Sequence, residues 1–321
     1  MTLLARMTRN LSLSIPVSML LGLLYSLIAP TAWLHVLIVP LTLLMVYPMM
    51  VGLRLRTLFE GGDTRAQLMA QIINFAIIPF VAYGLGRLWF PEQPFLALGL
   101  LLAALLPTSG MTIAWTGLAR GNLPAAIKMT VAGLIIGSLA TPLYVQWLMG
   151  AEVAVDLSAV FLQIALVVFL PMLAGQLTRS HLIRRYGQQG FQKDWAPRFP
   201  PLSTLGVLGV VFVAIALKGP DLVARPAVLI DILIPLLGLY VFNFAFSTVV
   251  GKLFLVRGDA IALVYGTVMR NLSIALALAM NAFGEASADA ALLIAVAYVI
   301  QVQSAAWYVK LGSRIFGPAP V

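Results

Sequence analysis

Cysteine is absent from the 321 residues, and histidine occurs only twice. The chain therefore has no disulfide, no thiolate metal site and no cysteine nucleophile. With only His35 and His181 as imidazoles, no Ser-His or His-Glu arrangement stands at catalytic spacing, so we expect no enzyme. We likewise expect neither a cofactor nor a metal ion.

Charged residues are also scarce. They make up 10% of the chain, against about a quarter in soluble globular proteins, while hydrophobic residues make up 61%. A soluble fold of this composition has nowhere to bury its apolar surface. Reading along the chain gives about ten apolar stretches near the roughly 20 residues that a helix needs to cross the hydrocarbon core. The sequence predicts an all-α polytopic membrane protein with ten transmembrane helices.

The net charge of +9 does not indicate a nucleic-acid partner, because the basic residues lie in short loops between apolar stretches. With both termini in the cytoplasm, only Arg87, Lys218 and Arg225 fall on the outer side, as the positive-inside rule requires. We expect a bacterial or archaeal plasma (inner) membrane protein whose surroundings are lipid. Both a monomer and a homodimer fit the sequence.

The longest polar stretch, residues 178–201, divides the chain in two. We predict a cytoplasmic connecting loop there, between a first five-helix repeat over residues 1–177 and a second over residues 202–321. An odd number of spans in each repeat inverts the second relative to the first, an arrangement found in many secondary transporters.

The fourth and ninth predicted helices are interrupted. Residues 107–112 place a proline, a glycine and three hydroxyls at mid-membrane, and residues 266–271 place a charge and an amide at similar depth. Proline removes a backbone hydrogen bond and glycine tolerates any backbone angle. We expect both helices to break and cross, which leaves amides and carbonyls free to bind a solute instead of each other.

Arg270 is the strongest single indication of function. A guanidinium stays charged at any accessible pH, and its insertion at mid-bilayer costs at least about 2.5–3.5 kcal/mol. Arg270 either neutralises an anionic solute or acts as a fixed cation in the broken helix. The alternative is a structural arginine held by backbone carbonyls.

Other side chains near the two breaks are candidates for the same site. Gln71 and Thr130 also fit it, although hydroxyls and amides equally serve as contacts between helices. For Lys128 we expect a side chain that extends to the cytoplasmic interface. The predicted substrate-binding residues are Arg270, Asn271, Thr108, Ser109, Thr112, Asn74, Met269, Trp115 and Ser273.

Carboxylates are almost absent from the predicted helices, where only Asp231 occurs, close to one end. Proton relays and sodium sites usually use Asp or Glu. Ion coupling therefore lacks its usual chemistry in this chain.

The motifs around the breaks resemble a known superfamily. Residues 107–115 and 118–122 (PTSGMTIAW and LARGN) resemble the fourth helix of the superfamily that joins bile acid:sodium symporters and arsenite permeases. Residues 74–79 (NFAIIP) and 269–271 (MRN) resemble its third and ninth helices. The resemblance implies ten helices in two inverted five-helix repeats, and an arsenical-resistance-like branch that lacks the cysteine.

The departures from that pattern concern its ligands. The arsenite permeases carry a cysteine where this chain has Thr108, and a hydroxyl is a poor substitute for a thiolate. The glutamate of the sodium symporters aligns with Gly266, and their crossover glutamine aligns with Arg270. Two further polar positions are Ile113 and Ala126. The remnants of the sodium-site pattern are Asn74, Thr112, Thr130 and Gly266.

Together these features predict a sodium-independent, arsenite-permease-like secondary transporter or facilitator for a small anion or oxyacid. One alternative is a sodium-coupled symporter of organic or bile-acid-like anions. The other is a membrane protein with a structural or sensor role.

Overall fold

The computed structural model describes residues 10–55, 62–151, 153, 156–283 and 288–317. Within these ranges the chain is helical and contains no β-strand, which confirms the all-α prediction. The α-helices are α1 (Leu11–Ile28), α2 (His35–Gly52), α3 (Thr64–Ile72), α4 (Ile78–Trp89), α5 (Pro94–Leu105), α6 (Gly110–Leu118), α7 (Leu123–Met149), α8 (Leu157–Ile164), α9 (Leu170–Gly190), α10 (Phe199–Ala224), α11 (Val228–Phe254), α12 (Arg257–Val268), α13 (Leu272–Ala282) and α14 (Ala288–Phe316).

Helical segments of membrane-spanning length recur along the described chain. Six are long and apolar enough to cross a bilayer, by length and composition. Three shorter apolar helices accompany them: Leu13–Ile28, Pro94–Leu105 and Leu272–Ala282. The six are Ala32–Gly52, Thr64–Trp89, Leu123–Met149, Leu157–Ala224, Val228–Phe254 and Ala288–Gly312.

The helices form two compact units that are interleaved along the sequence. Unit 1 comprises Met1–Leu53, Val155–Ile230 and Ser273–Ala295. Unit 2 comprises Arg54–Ala154, Asp231–Leu272 and Val296–Val321. Each unit therefore takes helices from both sides of residues 178–201.

Unit 1 is held together by close helix packing. Helix α10 packs against α1 and α2, and a Cβ at Gly206 would clash with the backbone of Met45. Small residues let helix backbones approach in this way within a membrane. The Ser18 hydroxyl of α1 adds a hydrogen bond to the Leu208 carbonyl of α10, at 2.7 Å.

Residues 178–201, predicted as a connecting loop, are helical. Helix α9 continues to Gly190, with a change of direction at Gly187 (φ 71°), and short π and 3-10 turns lead into α10. The amphipathic pattern explains the difference, because Leu182 and Phe191 are buried in a cluster with Val51. The basic side chains Arg184 and Arg185 are exposed.

The predicted division at residue 178 does not lie between two equal groups of described helical stretches. Six helical stretches of the described chain begin before residue 178: α1, α2, α3–α4, α5–α6, α7 and α8–α9. Equal groups of five therefore require a boundary between Met149 and Leu157.

Unit 2 is built around α7. Two glycines one turn apart, Gly133 and Gly137, face the non-helical segment between α5 and α6. A Cβ at Gly133 would lie 2.6 Å from Thr108 Oγ1, and one at Gly137 would lie 2.9 Å from Pro107 Cδ. The absence of side chains on this face of α7 makes room for the interrupted helix.

Candidate transport site at the two broken helices

Both predicted interruptions are present. Helix α5 ends at Leu105 and α6 begins at Gly110, while α12 ends at Val268 and α13 begins at Leu272. Thr108 has φ 64°, a left-handed conformation that is unfavourable for a β-branched residue. Such strain persists only where the surroundings fix the backbone, and it is typical of functional sites.

The two interruptions pair with each other. The Thr108 amide donates to the Met269 carbonyl and the Asn271 amide donates to the Leu106 carbonyl, both at 2.7 Å, forming an antiparallel bridge. We had expected these groups to remain available to a solute. The pairing arises because buried amides and carbonyls without partners are costly, and each broken segment supplies what the other lacks.

The backbone of Arg270 is held from the side by α14. The Gln301 side chain accepts from the Arg270 amide at 2.7 Å and donates to the Arg270 carbonyl at 3.2 Å. The Tyr240 hydroxyl of α11 donates to the same Gln301 oxygen at 3.0 Å. The buried side-chain amide of Gln301 therefore fixes the position of Arg270 between the end of α12 and the start of α13.

Two asparagine side chains donate hydrogen bonds to carbonyls at the C-terminal end of α12. In a continuous helix, the carbonyls of Gly266 and Thr267 would accept from amides four residues later, but those amides bond elsewhere. Instead, Asn74 Nδ2 donates to the Gly266 carbonyl at 3.0 Å and Asn243 Nδ2 donates to the Thr267 carbonyl at 2.8 Å. Asn74 therefore has a clear structural role at the predicted site.

A single π-helical turn, Ile73–Ile77, carries Asn74 between α3 and α4. Pro79 has no N–H for the carbonyl of Phe75, and the Tyr144 hydroxyl of α7 donates to that carbonyl at 2.5 Å. Such π-turns often occur at functional sites because they redirect a side chain.

The predicted hydroxyls largely stabilise their own backbone. Ser109 is the N-cap of α6, where its side chain accepts from the Met111 amide, and Thr112 accepts from the Ser109 amide at 3.1 Å. The Thr130 hydroxyl donates to the Ala126 carbonyl at 2.8 Å. The Thr108 hydroxyl lies 2.6 Å from its nearest acceptor, the Pro107 carbonyl.

A second group of polar atoms has no such role. Arg270 is buried, with 4% of its surface exposed, and its Nη1 and Nη2 make no hydrogen bond with any described residue. Asn74 Oδ1 is also buried and makes no hydrogen bond with any described residue, and the same is true of Oε1 and Nε2 of Gln71, one turn earlier in the sequence. Buried donors and acceptors are nearly always paired, so these atoms are where a ligand would gain most.

Three predicted residues differ from this picture. Lys128 is buried, and its ammonium lies 3.4 Å from Asp63 Oδ2 in an ion pair just before α3, so its extension to the interface stays a prediction. Trp115 is half-buried on α6, and no described hydrogen bond or ring contact joins it to the paired segments. Ser273 is half-buried and belongs to unit 1.

Three residues of the site were not predicted: Gln301, Tyr240 and Asn243. All are buried in apolar helices. A lone amide in an apolar helix often marks a helix contact, and that signal was present in the sequence at Gln301 and Asn243. Their bonding to residues 267 and 270 depends on the fold.

Known proteins share this sequence pattern. The model of the sodium bile acid symporter family matches residues 39–225, more than half of the chain. The arsenical-resistance protein Acr3 of Corynebacterium glutamicum is 26% identical over 261 residues, which cover 77% of this chain and 70% of that protein.

Two further relatives extend the comparison. Acr3 of Alkaliphilus metalliredigens is 24% identical over 207 residues, covering 60% of this chain and 57% of that protein. The probable sodium/metabolite cotransporter BASS1 of Arabidopsis thaliana is 26% identical over 182 residues, covering 56% and 43%. The resemblance inferred from the broken helices is confirmed, and the chain belongs to the sodium bile acid symporter family of membrane transporters.

Proposed function

We propose that this transporter moves a small anion or oxyacid across the membrane without sodium, with the solute bound beside the two broken helices. The observation that carries the proposal is the buried Arg270 guanidinium, whose Nη1 and Nη2 have no hydrogen-bond partner among the described residues. An intramembrane charge of this kind usually marks the path of a substrate. The N-terminal end of α6, which favours negative charge, begins three residues after Pro107, and Pro107 pairs with Arg270.

Sodium coupling is disfavoured by the ligands that remain. The position of the symporters' glutamate is Gly266, and the Thr112 hydroxyl oxygen already accepts a hydrogen bond from the Ser109 amide. Among the described residues no carboxylate forms an ion pair with Arg270. A sodium ion in this place would therefore meet a permanent cation and few oxygens. Sodium-coupled uptake remains the alternative, because the BASS1 relative is named a probable sodium/metabolite cotransporter.

Arsenite export is a second candidate, because two of the relatives are arsenical-resistance proteins. The thiol that suits trivalent arsenic is absent, and Thr108 turns its hydroxyl toward backbone carbonyls. Arsenous acid is uncharged near neutral pH, so Arg270 adds little to its binding. An organic carboxylate uses the guanidinium better.

The proposal extends to architecture. We propose ten spans in two inverted five-helix repeats, divided between Met149 and Leu157, with broken, crossing fourth and ninth spans. Both termini lie in the cytoplasm of a bacterial or archaeal cell, as the distribution of basic residues favours.

Purified protein in proteoliposomes tests the proposal directly. With unlabelled solute inside the vesicles, we expect uptake of labelled lactate that is equal with and without an inward sodium gradient, and that is lost in Arg270→Gln. Uptake of arsenite should depend less on Arg270. Uptake that requires the sodium gradient would establish the sodium-coupled alternative. A folded protein that transports neither solute would favour the structural or sensor alternative.

A further inference from the structure

The charge of Arg270 has no counter-charge among the described residues. Its Nη1 and Nη2 are buried without partners, and the described ion pairs do not include it. Lys128, the other buried cation among the described residues of unit 2, is paired with Asp63. The site around Arg270 therefore carries one net positive charge.

That charge can neither leave the site nor disappear. Two hydrogen bonds from Gln301 hold the Arg270 backbone, and the next residue, Asn271, bonds to the Leu106 carbonyl. A guanidinium also keeps its proton at any accessible pH. When the site changes its access from one side of the membrane to the other, the positive charge of Arg270 takes part in that change.

A bound anion changes the electrical cost of this step. An empty site takes an unbalanced charge through the low-dielectric interior, which is unfavourable and depends on the membrane potential. A site that holds a singly charged anion is neutral overall. Building on the proposed function, we infer that this transporter exchanges one singly charged oxyanion for another and returns slowly when its site is empty.

The geometry of the guanidinium suits such a ligand. Nη1 and Nη2 form one edge of a planar group, which can donate two parallel hydrogen bonds to the two oxygens of a carboxylate. A doubly charged anion would leave a net negative charge on the loaded site. The charge balance therefore selects singly charged anions.

Counter-transport in proteoliposomes tests the exchange. Vesicles containing the purified full chain are filled with either lactate or sulfate, and uptake of external labelled lactate is followed. We expect uptake into lactate-filled vesicles to be at least tenfold faster than into sulfate-filled vesicles. The faster uptake should not change when a potassium gradient with valinomycin imposes a membrane potential.

Other outcomes separate exchange from transport. Equal uptake into both kinds of vesicle, with a rate that follows the membrane potential, would overturn the exchange and leave the proposed function standing. If neither kind takes up more lactate than protein-free vesicles, the proposed function fails for this anion and the exchange fails with it.

Two variants check that the charge of Arg270 is responsible. Arg270→Lys keeps the charge without the planar fork, so its uptake should be slower but should still require lactate inside. Arg225→Gln removes a charge from an exposed position and should leave both the rate and the requirement unchanged. If Arg270→Lys transports equally well into sulfate-filled vesicles, the charge argument is wrong.

Discussion

The two units treat buried polar groups in opposite ways. In unit 1 the buried Ser18 hydroxyl bonds to a carbonyl of the neighbouring helix, and among the described residues of this unit no buried side-chain atom lacks a partner. In unit 2 such atoms occur on Gln71, Asn74, Thr116, Ser138, Tyr265 and Arg270.

This difference indicates a division of labour. A membrane offers no water to a polar group that lacks a partner, so each such group is retained against a cost in stability. Unit 1 avoids that cost through close packing and through hydrogen bonds to the buried polar side chains that the structure describes. Unit 2 carries that cost and also contains the strained residue Thr108. The proposed binding of solute in unit 2 would account for both.

The largest effect should come from Arg270→Gln. If the two terminal nitrogens bind the substrate, their loss should reduce flux by at least about 100-fold, because hydrogen bonds to charged groups contribute about 1.5–3 kcal/mol each. The variant should still fold, since a buried charge without a partner has been removed. Proteoliposome flux and thermal unfolding in detergent measure the two effects.

Arg225→Gln is the control, because this residue is exposed in unit 1. It should change neither flux nor unfolding temperature. Poor expression and a low unfolding temperature of Arg270→Gln alone would mean that the arginine is structural. The proposed contrast between the units would then lose its main support.

Matched glutamines test the backbone support in each unit. Gln301→Leu would leave the Arg270 amide and carbonyl buried without partners, at about 1–3 kcal/mol for each group. Gln176 of unit 1 also makes two bonds, to the Met50 and Leu53 carbonyls, both at 3.0 Å. It is only partly buried, so water can replace it and Gln176→Leu should cost less than about 1 kcal/mol. Chemical denaturation of both variants measures the two losses of stability. Equal losses would contradict the view that Gln301 is the more important support of the backbone.

The sequence predicted the breaks but not their bonding. The charge at 270 is rare within an apolar helix. The break at 107 is marked by the combination of proline, glycine and three hydroxyls, because single prolines such as Pro16 and Pro235 lie inside continuous helices. The pairing of the two breaks depends on bringing together two segments far apart in sequence, and Gln301 joins them from a third. These contacts follow from packing, which no local pattern encodes.

The helical conformation of residues 178–201 was missed for a similar reason. Polarity and basic charge suggested a loop, whereas the stretch consists of successive helical segments in which Leu182 and Phe191 are buried. A polar stretch beside membrane helices remains helical when one of its faces can pack. Interleaving of the units was equally hidden, because short loops indicate neighbours along the chain only.

Matched glycines test the packing in each unit. Gly206→Ala would push a Cβ against the Met45 backbone, which cannot move easily, so we expect a loss of about 1–3 kcal/mol in stability with normal flux per folded protein. Gly133→Ala would meet the Thr108 hydroxyl, a side chain that can rotate. We expect a smaller loss of stability but about a tenfold loss of flux, because displacement near the site disturbs its geometry. Unfolding and flux assays on both variants measure these effects. If unit 1 contained the site, Gly206→Ala would lose flux and Gly133→Ala would keep it.

The smallest effects should have opposite signs in the two units. Ser18 and Ser138 are both buried. The Ser18 hydroxyl bonds to the Leu208 carbonyl at 2.7 Å, whereas the Ser138 hydroxyl has no partner among the described residues. Ser18→Ala should lower stability by about 0.6 kcal/mol, the average for a hydrogen bond between membrane helices. Ser138→Ala removes a hydroxyl that gains nothing from the fold, so stability should stay the same or rise by a similar amount. Unfolding curves of the two variants, measured side by side in one detergent, resolve such differences. A clear loss of stability in Ser138→Ala would mean that this hydroxyl is satisfied, and that unit 2 retains fewer unpaired groups than its structure indicates.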